Sequence, residues 1–183
     1  IDALYVPGSS PRRTQAAADW LTSRVERRGP VRMSIGMRGS RATVSTRKEP
    51  SVATVELTTE NFASTIEGND TLFIDFWAAW CGPCRMFAPV FDAASEKYTD
   101  VTFAKLDTEA QGEIAAALEI QSIPTLMAFR GGVLVYREAG AMNASGFDQL
   151  VDAVKALDLE EVRAQAKEAQ ERHDAEHAQA SEN

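Results

Sequence analysis

Cysteine and histidine are scarce in this chain of 183 residues, with two of each. The cysteines, Cys81 and Cys84, lie three positions apart, and the histidines, His173 and His177, lie about ninety residues further on in a polar tail. A structural zinc ion takes four ligands, usually from two such pairs. There is no third cysteine, so no metal site is expected. A structural disulfide is also a poor fit, because closing so small a loop removes little chain entropy. His173 and His177 are spaced i,i+4 and could flank a metal on one helix face, but they read more simply as two surface histidines. No run of about eighteen apolar residues is present, so no helix is expected to span a membrane. No short apolar core of a secretory signal is visible either.

Charge is unevenly spread. Residues 1–51 contain ten Lys/Arg and four Asp/Glu, and residues 52–183 contain nine Lys/Arg and twenty-three Asp/Glu. The acidic larger part argues against nucleic acid as a partner. The change of sign marks a boundary near residue 51. Before it, Pro and Gly recur and apolar residues are sparse, which gives too little core to offset ordering entropy. Three readings fit this basic stretch: a dispensable extension, a disordered arm, or an Arg- and Ser-rich targeting segment. The compact unit is expected from Val52 to about Leu157. Residues 158–183 are rich in Ala, Glu, Gln and Arg, with no large apolar residue after Val162. They read as a polar helical or frayed tail.

Between those limits the pattern is regular. Strands are expected over 52–57, 72–77, 101–107, 125–130 and 133–137. Helices are expected from Thr59 to Glu67, after Cys84, from Glu109 to Glu119, and around Phe147 to Leu157. Thr58 or Thr59 suits the first helix as its N-cap. Gly131-Gly132 can supply the positive φ angles of a hairpin turn. The order β-α-β-α-β-α-β-β-α predicts an α/β fold with parallel pairing, an antiparallel terminal hairpin, and helices on both faces of the sheet.

The two cysteines fall where the buried strand 72–77 meets the next helix. Unpaired N–H groups in the first helical turn favour negative charge, which stabilises a thiolate there. Pro83 suits that first turn. A second thiol three residues on can attack a mixed disulfide from within the same molecule. The pair therefore reads as a reversible dithiol–disulfide couple. Two cysteines with none to spare fit a reducing compartment.

Trp80-Cys81-Gly82-Pro83-Cys84, after Asp75-Phe76-Trp77-Ala78, resembles the active site of the thioredoxin family, and the resemblance covers roughly Val52 to Leu157. It implies a central mixed, mostly parallel sheet flanked by four helices. It implies reduction of protein disulfides, with Cys81 as nucleophile and Cys84 as resolving thiol. Asp75, buried in its strand, matches the family's proton acceptor, and Lys105 matches that acid's neighbour on the adjacent strand and its partner. Pro124, after Ile123, matches the family's cis-proline. Trp80, Gly82, Pro83, Ile123, Gly140 and Ala141 are expected to line a shallow apolar rim for substrate proteins, with Trp77 behind it. Ala79 departs from the family, where a polar or charged residue is frequent. The partners implied are disulfide-bearing proteins and a flavin-containing thioredoxin reductase. No bound cofactor is expected, nor a membrane or nucleic-acid partner, and the chain is expected to be a monomer. The cytoplasm is the expected location, or an organelle if residues 1–51 are a transit segment. Two alternatives stay open: a disulfide oxidant or isomerase of the same fold, and a non-redox binding subunit that uses the rim.

Overall fold

The computed structural model describes residues 54–181, with side chains to Ala169 and at Glu171 and Arg172. The expectations for residues 1–51, and for the His173 and His177 side chains, lie outside these described residues. The elements run β1 (Thr54–Glu56), α1 (Phe62–Glu67), β2 (Thr71–Trp77), α2 (Gly82–Lys97), β3 (Thr102–Asp107), α3 (Gly112–Ala117), β4 (Thr125–Arg130), β5 (Val133–Ala139), α4 (Ala144–Lys155) and α5 (Leu159–Ser181). The order is the expected one, with α5 added.

The strands form one five-stranded sheet in the order β1-β3-β2-β4-β5. β3 pairs parallel with both β1 and β2. β4 runs antiparallel to β2, and β5 antiparallel to β4. Two of the four pairings are thus parallel, and β2 sits in the middle with both faces covered. Successive strand residues point to opposite faces. Phe73 of β2 joins Phe87, Phe91, Phe103 and Phe147 in the core beneath α2 and α4. Leu72, Ile74 and Phe76 join Phe62, Ile66, Leu106 and Ile114 in the core beneath α1 and α3. In the first core the Phe91 and Phe147 rings stack at 5.6 Å between centroids, and Phe73 meets Phe147 edge-on at 5.6 Å. Such contacts add about 1 kcal/mol each beyond the area they bury.

Local boundaries differ from the periodicity for identifiable reasons. α1 starts at Phe62, not at Thr59. The Asn61 side chain accepts the Thr58 N–H at 2.8 Å and closes a turn that precedes the helix. Asn61, rather than either threonine, holds the N-cap position. α3 starts later than Glu109, because the Asp107 carboxylate accepts the Glu109 N–H at 2.9 Å in a turn of its own. At its end Glu119 takes a left-handed φ of 51°.

The core also extends beyond the boundary expected at Leu157. Val162 of α5 is buried within the cluster under α2 and α4. Asp158 caps the helix by accepting the Glu161 N–H at 2.9 Å. Arg130 Nε donates to the Leu157 carbonyl at 3.1 Å, while its Nη1 donates to Thr71 Oγ1 at 2.6 Å. Residues 158–162 therefore belong to the packed unit. Leu159 and Val162 are the only large apolar residues from Asp158 onward, too few to set a helical stripe, so hydropathy does not find this. Among the described residues, no helix is long and apolar enough to cross a membrane.

Candidate active site

β2 ends at Trp77, a short turn follows, and α2 begins at Gly82. Within that turn the Cys81 N–H donates to the Ala78 carbonyl at 3.1 Å. Arg85 Nη1 donates to the Ala79 carbonyl at 3.1 Å, which fastens the turn to the helix from outside. The segment has to leave the sheet and start a helix within four residues, and Pro83 in the first turn suits the start because its missing N–H has no intrahelical role there.

Cys81 is the N-cap of α2, with extended backbone angles. Its Sγ accepts the Cys84 N–H at 3.1 Å, the contact a capping serine or aspartate oxygen would make. The helix behind it is 16 residues long, so the positive end of its dipole lies at this sulfur. The structure shows the oxidised state, with Cys81 and Cys84 joined by an S–S bond of 2.02 Å. Both cysteines are almost fully buried, at 3% exposure each. Accessibility does not distinguish them. The capping geometry does, because only Cys81 Sγ faces the helix start.

The Ile123–Pro124 bond is cis. Cys81 Sγ lies 3.7 Å from the Ile123 carbonyl oxygen, so the loop before β4 covers the disulfide. The Gly140 N–H donates to the Pro124 carbonyl at 2.8 Å and draws the end of β5 to the same place. Gly140 adopts a φ of 119°, a conformation that a side chain would strain. Trp80 is 66% exposed beside the cysteines. Pro83, Gly140 and Ala141 are exposed, Gly82 and Ile123 are half-buried, and Pro124 is buried. Trp80, Gly82 and Pro83 adjoin the cysteines along the chain, and the two loop contacts bring Ile123 and Gly140 towards the same end of the sheet. Trp77 is half-buried at the end of β2.

Asp75 is buried at 1% exposure, and its Oδ1 has no hydrogen-bond partner. It shares the face of β2 that carries Phe73, beneath α2. Burial pushes its carboxyl up to about 7; the Lys105 cation lowers it, and the Asp92 charge raises it again. Lys105 stands opposite Asp75 in the β2–β3 register. The direct Asp75–Lys105 pair expected from the resemblance is not formed. Lys105 Nζ instead donates to Asp92 Oδ1 on α2. The side chains of Lys105 and Asp92 are 22% and 49% exposed, so this pair keeps contact with solvent that a pair buried at Asp75 would lose. Asp92 is the one residue of this group that sequence reasoning missed. It follows Phe91 at the border of the buried face of α2, and nothing in the helical pattern links it to β3.

A disulfide at the start of a helix, covered by a cis-proline loop, with a buried acid on the strand that leads into it, defines a thiol–disulfide oxidoreductase of the thioredoxin fold. The sequence matches the Thioredoxin family over residues 53–155. The chain belongs to the thioredoxin family, and its chemistry is the reduction of protein disulfides through the Cys81–Cys84 pair. The thioredoxin of Mycobacterium tuberculosis is 43% identical over 108 residues, covering 57% of this chain and 93% of that protein. A bifunctional thioredoxin reductase/thioredoxin of Mycobacterium leprae is 44% identical over 90 residues, covering 48% of this chain and 20% of that protein. Among solved structures, Plasmodium falciparum thioredoxin aligns with a TM-score of 0.51 and 34% identity, covering 54% of this chain and 97% of that one.

Proposed function

We propose that Cys81 is the attacking thiolate, Cys84 the resolving thiol and Asp75 the proton acceptor for Cys84. The observation that carries this is the capping contact: Cys81 Sγ occupies the position where the first turn of α2 stabilises negative charge. The Cys81 thiolate attacks one sulfur of a substrate disulfide, forming a mixed disulfide and releasing the other sulfur as a thiolate that takes a proton from solvent. Cys84 gives its proton to the Asp75 carboxylate and attacks Cys81 Sγ. The second substrate sulfur leaves as a thiolate and is protonated in turn. Two electrons have passed to the substrate, and the protein holds the Cys81–Cys84 disulfide of the oxidised state. An acid raised to about 7 is suited to accept a proton near neutral pH.

Substrate proteins meet the rim of Trp80, Gly82, Pro83, Ile123, Pro124, Gly140 and Ala141, where burial without directional demands tolerates varied sequences. The electron donor in this reading is a thioredoxin reductase. The Mycobacterium leprae relative, whose name joins the two activities in one protein, supports it. The working compartment in this reading is the cytoplasm, where the pair would be kept reduced. Reduction of insulin disulfides, with a thioredoxin reductase and its reductant supplied, tests the reading. Catalytic turnover is expected. Reduction by a chemical dithiol alone, with no turnover by reductases from several sources, would remove the reductase from it.

A further inference from the structure

Asp75 and Lys105 face each other in register, yet the ammonium is bonded elsewhere. On β3, Lys105 has two carboxylates to choose between: the deeply buried one on β2 and the half-exposed one on α2. Its Nζ lies 5.9 Å from the centroid of the Phe91 ring and donates to Asp92 on the next residue of that helix. Asp75 Oδ1 is left without a partner. The groups around Asp75 are few. β3 brings Lys105, α2 brings Asp92, and β4 places the apolar Leu126 opposite it in register.

A lysine bonded directly to Asp75 would hold the carboxylate ionised and make it a poor acceptor, since opposite charge at close range favours the charged form. It would also have to bury both ions, which costs more than a pair at the protein's edge. We propose that Asp92 is a positioning residue for the buried acid: by holding the Lys105 ammonium on α2, it keeps that cation from neutralising Asp75 and leaves the carboxyl able to exchange a proton. The proposal rests on the reading of Asp75 as the proton acceptor, and it concerns a residue that touches neither the sulfurs nor the rim.

The experiment is a carboxyl ¹³C NMR titration of Asp75 in the oxidised full-length protein. It is run for the wild type and for Asp92→Asn, Lys105→Met and the double variant. Asp92 is half-exposed, so the isosteric amide keeps the fold. Asp92→Asn is expected to lower the Asp75 midpoint by at least about half a unit, because the freed ammonium can turn to Asp75. Lys105→Met is expected to raise it. With Lys105 absent, the effect of Asp92→Asn should shrink to less than half. An unchanged midpoint in Asp92→Asn overturns the proposal, and so does an equal lowering with and without Lys105, since Asp92 would then act only through its own charge. The underlying reading is checked separately, by the rate at which Asp75→Asn resolves a preformed mixed disulfide. A rate equal to wild type would remove Asp75 from the chemistry, whatever the titration gave.

Discussion

Asp75 stands opposite Lys105 across the β2–β3 pairing, and its Oδ1 nonetheless remains unbonded. A buried carboxyl with no partner is a cost to folding, and the cost depends on pH. In the unfolded chain Asp75 ionises at its ordinary value of 3.8, while in the fold it holds its proton up to about 7. Between those values the native state binds more protons than the unfolded state, so stability falls as pH rises, and the loss is complete above about 7. Asp75→Asn removes the ionisation. The variant should be more stable than wild type at pH 8 by up to about 4 kcal/mol. The difference should fade towards pH 4. Urea unfolding at pH 4, 6 and 8 measures it, and parallel curves for both proteins would refute the assignment.

The division of labour between the sulfurs yields a second prediction. Cys84→Ser leaves a mixed disulfide at Cys81 that nothing resolves, so substrate proteins should accumulate covalently on that variant. Cys81→Ser should accumulate none, because Cys84 Sγ lacks the helix-start contact that Cys81 has. Both cysteines are equally buried in the oxidised state, so the capping contact is the feature that separates them there. Non-reducing electrophoresis after incubation with insulin reads the outcome. Equal trapping by both variants would reverse the argument.

Much of this is legible in the sequence, for physical reasons that also mark the limits. The apolar run before Cys81 specified a strand covered on both sides, and Pro83 specified a helix start, so the position of the sulfurs followed from local chemistry. Pro124 did not follow in that way. Its cis bond was expected only because the surrounding residues resemble a family, since local preferences favour trans. Asp92 was invisible because its partner comes from β3, across a helix–sheet contact that no spacing encodes. The antiparallel entry of β4 was hidden similarly. Alternation of strand and helix fixes which elements exist, but not which neighbour a strand selects.

Glu119 offers a third prediction. A side chain at a φ of 51° costs about 1 kcal/mol relative to glycine, which occupies that region freely. The Glu119 carbonyl accepts from Arg137 Nη2 at 2.9 Å, a main-chain contact that glycine retains. Glu119→Gly and Glu119→Ala lose the same side-chain groups beyond Cβ, so the difference between them reports the backbone, and the glycine variant should be the more stable of the two by about 0.5 kcal/mol after the added freedom of the unfolded chain. Glu119→Val should be less stable than Glu119→Ala, because a β-branched side chain tolerates the left-handed region least. Thermal unfolding should rank glycine above alanine above valine if the backbone governs this site.

The last prediction concerns where the folded unit ends. Val162 is buried against the cluster under α2 and α4, four residues into a helix whose remaining sequence is polar. Arg130 links β4 to the carbonyl of Leu157, and Asp158 caps the first turn of α5. A β-carbon added at Gly131 would lie 2.9 Å from Leu159 Cδ2, so α5 also packs closely on the β4–β5 turn. A chain stopped after Leu157 loses the cap, the Leu159 contact and the buried valine together. Removing one buried valine side chain costs about 2 kcal/mol. In a domain near one hundred residues that lowers the midpoint by about 8 °C or more. Val162→Ala should reproduce much of the loss without shortening the chain. A chain stopped after Ala169 keeps all three features and loses only residues with no large apolar side chain. Its midpoint should stay close to that of the full chain, and both shortened proteins should still reduce insulin at low temperature, since no residue of the site lies beyond Ala141. If the two truncations melt together, α5 contributes nothing to the fold and the unit ends at Leu157 after all.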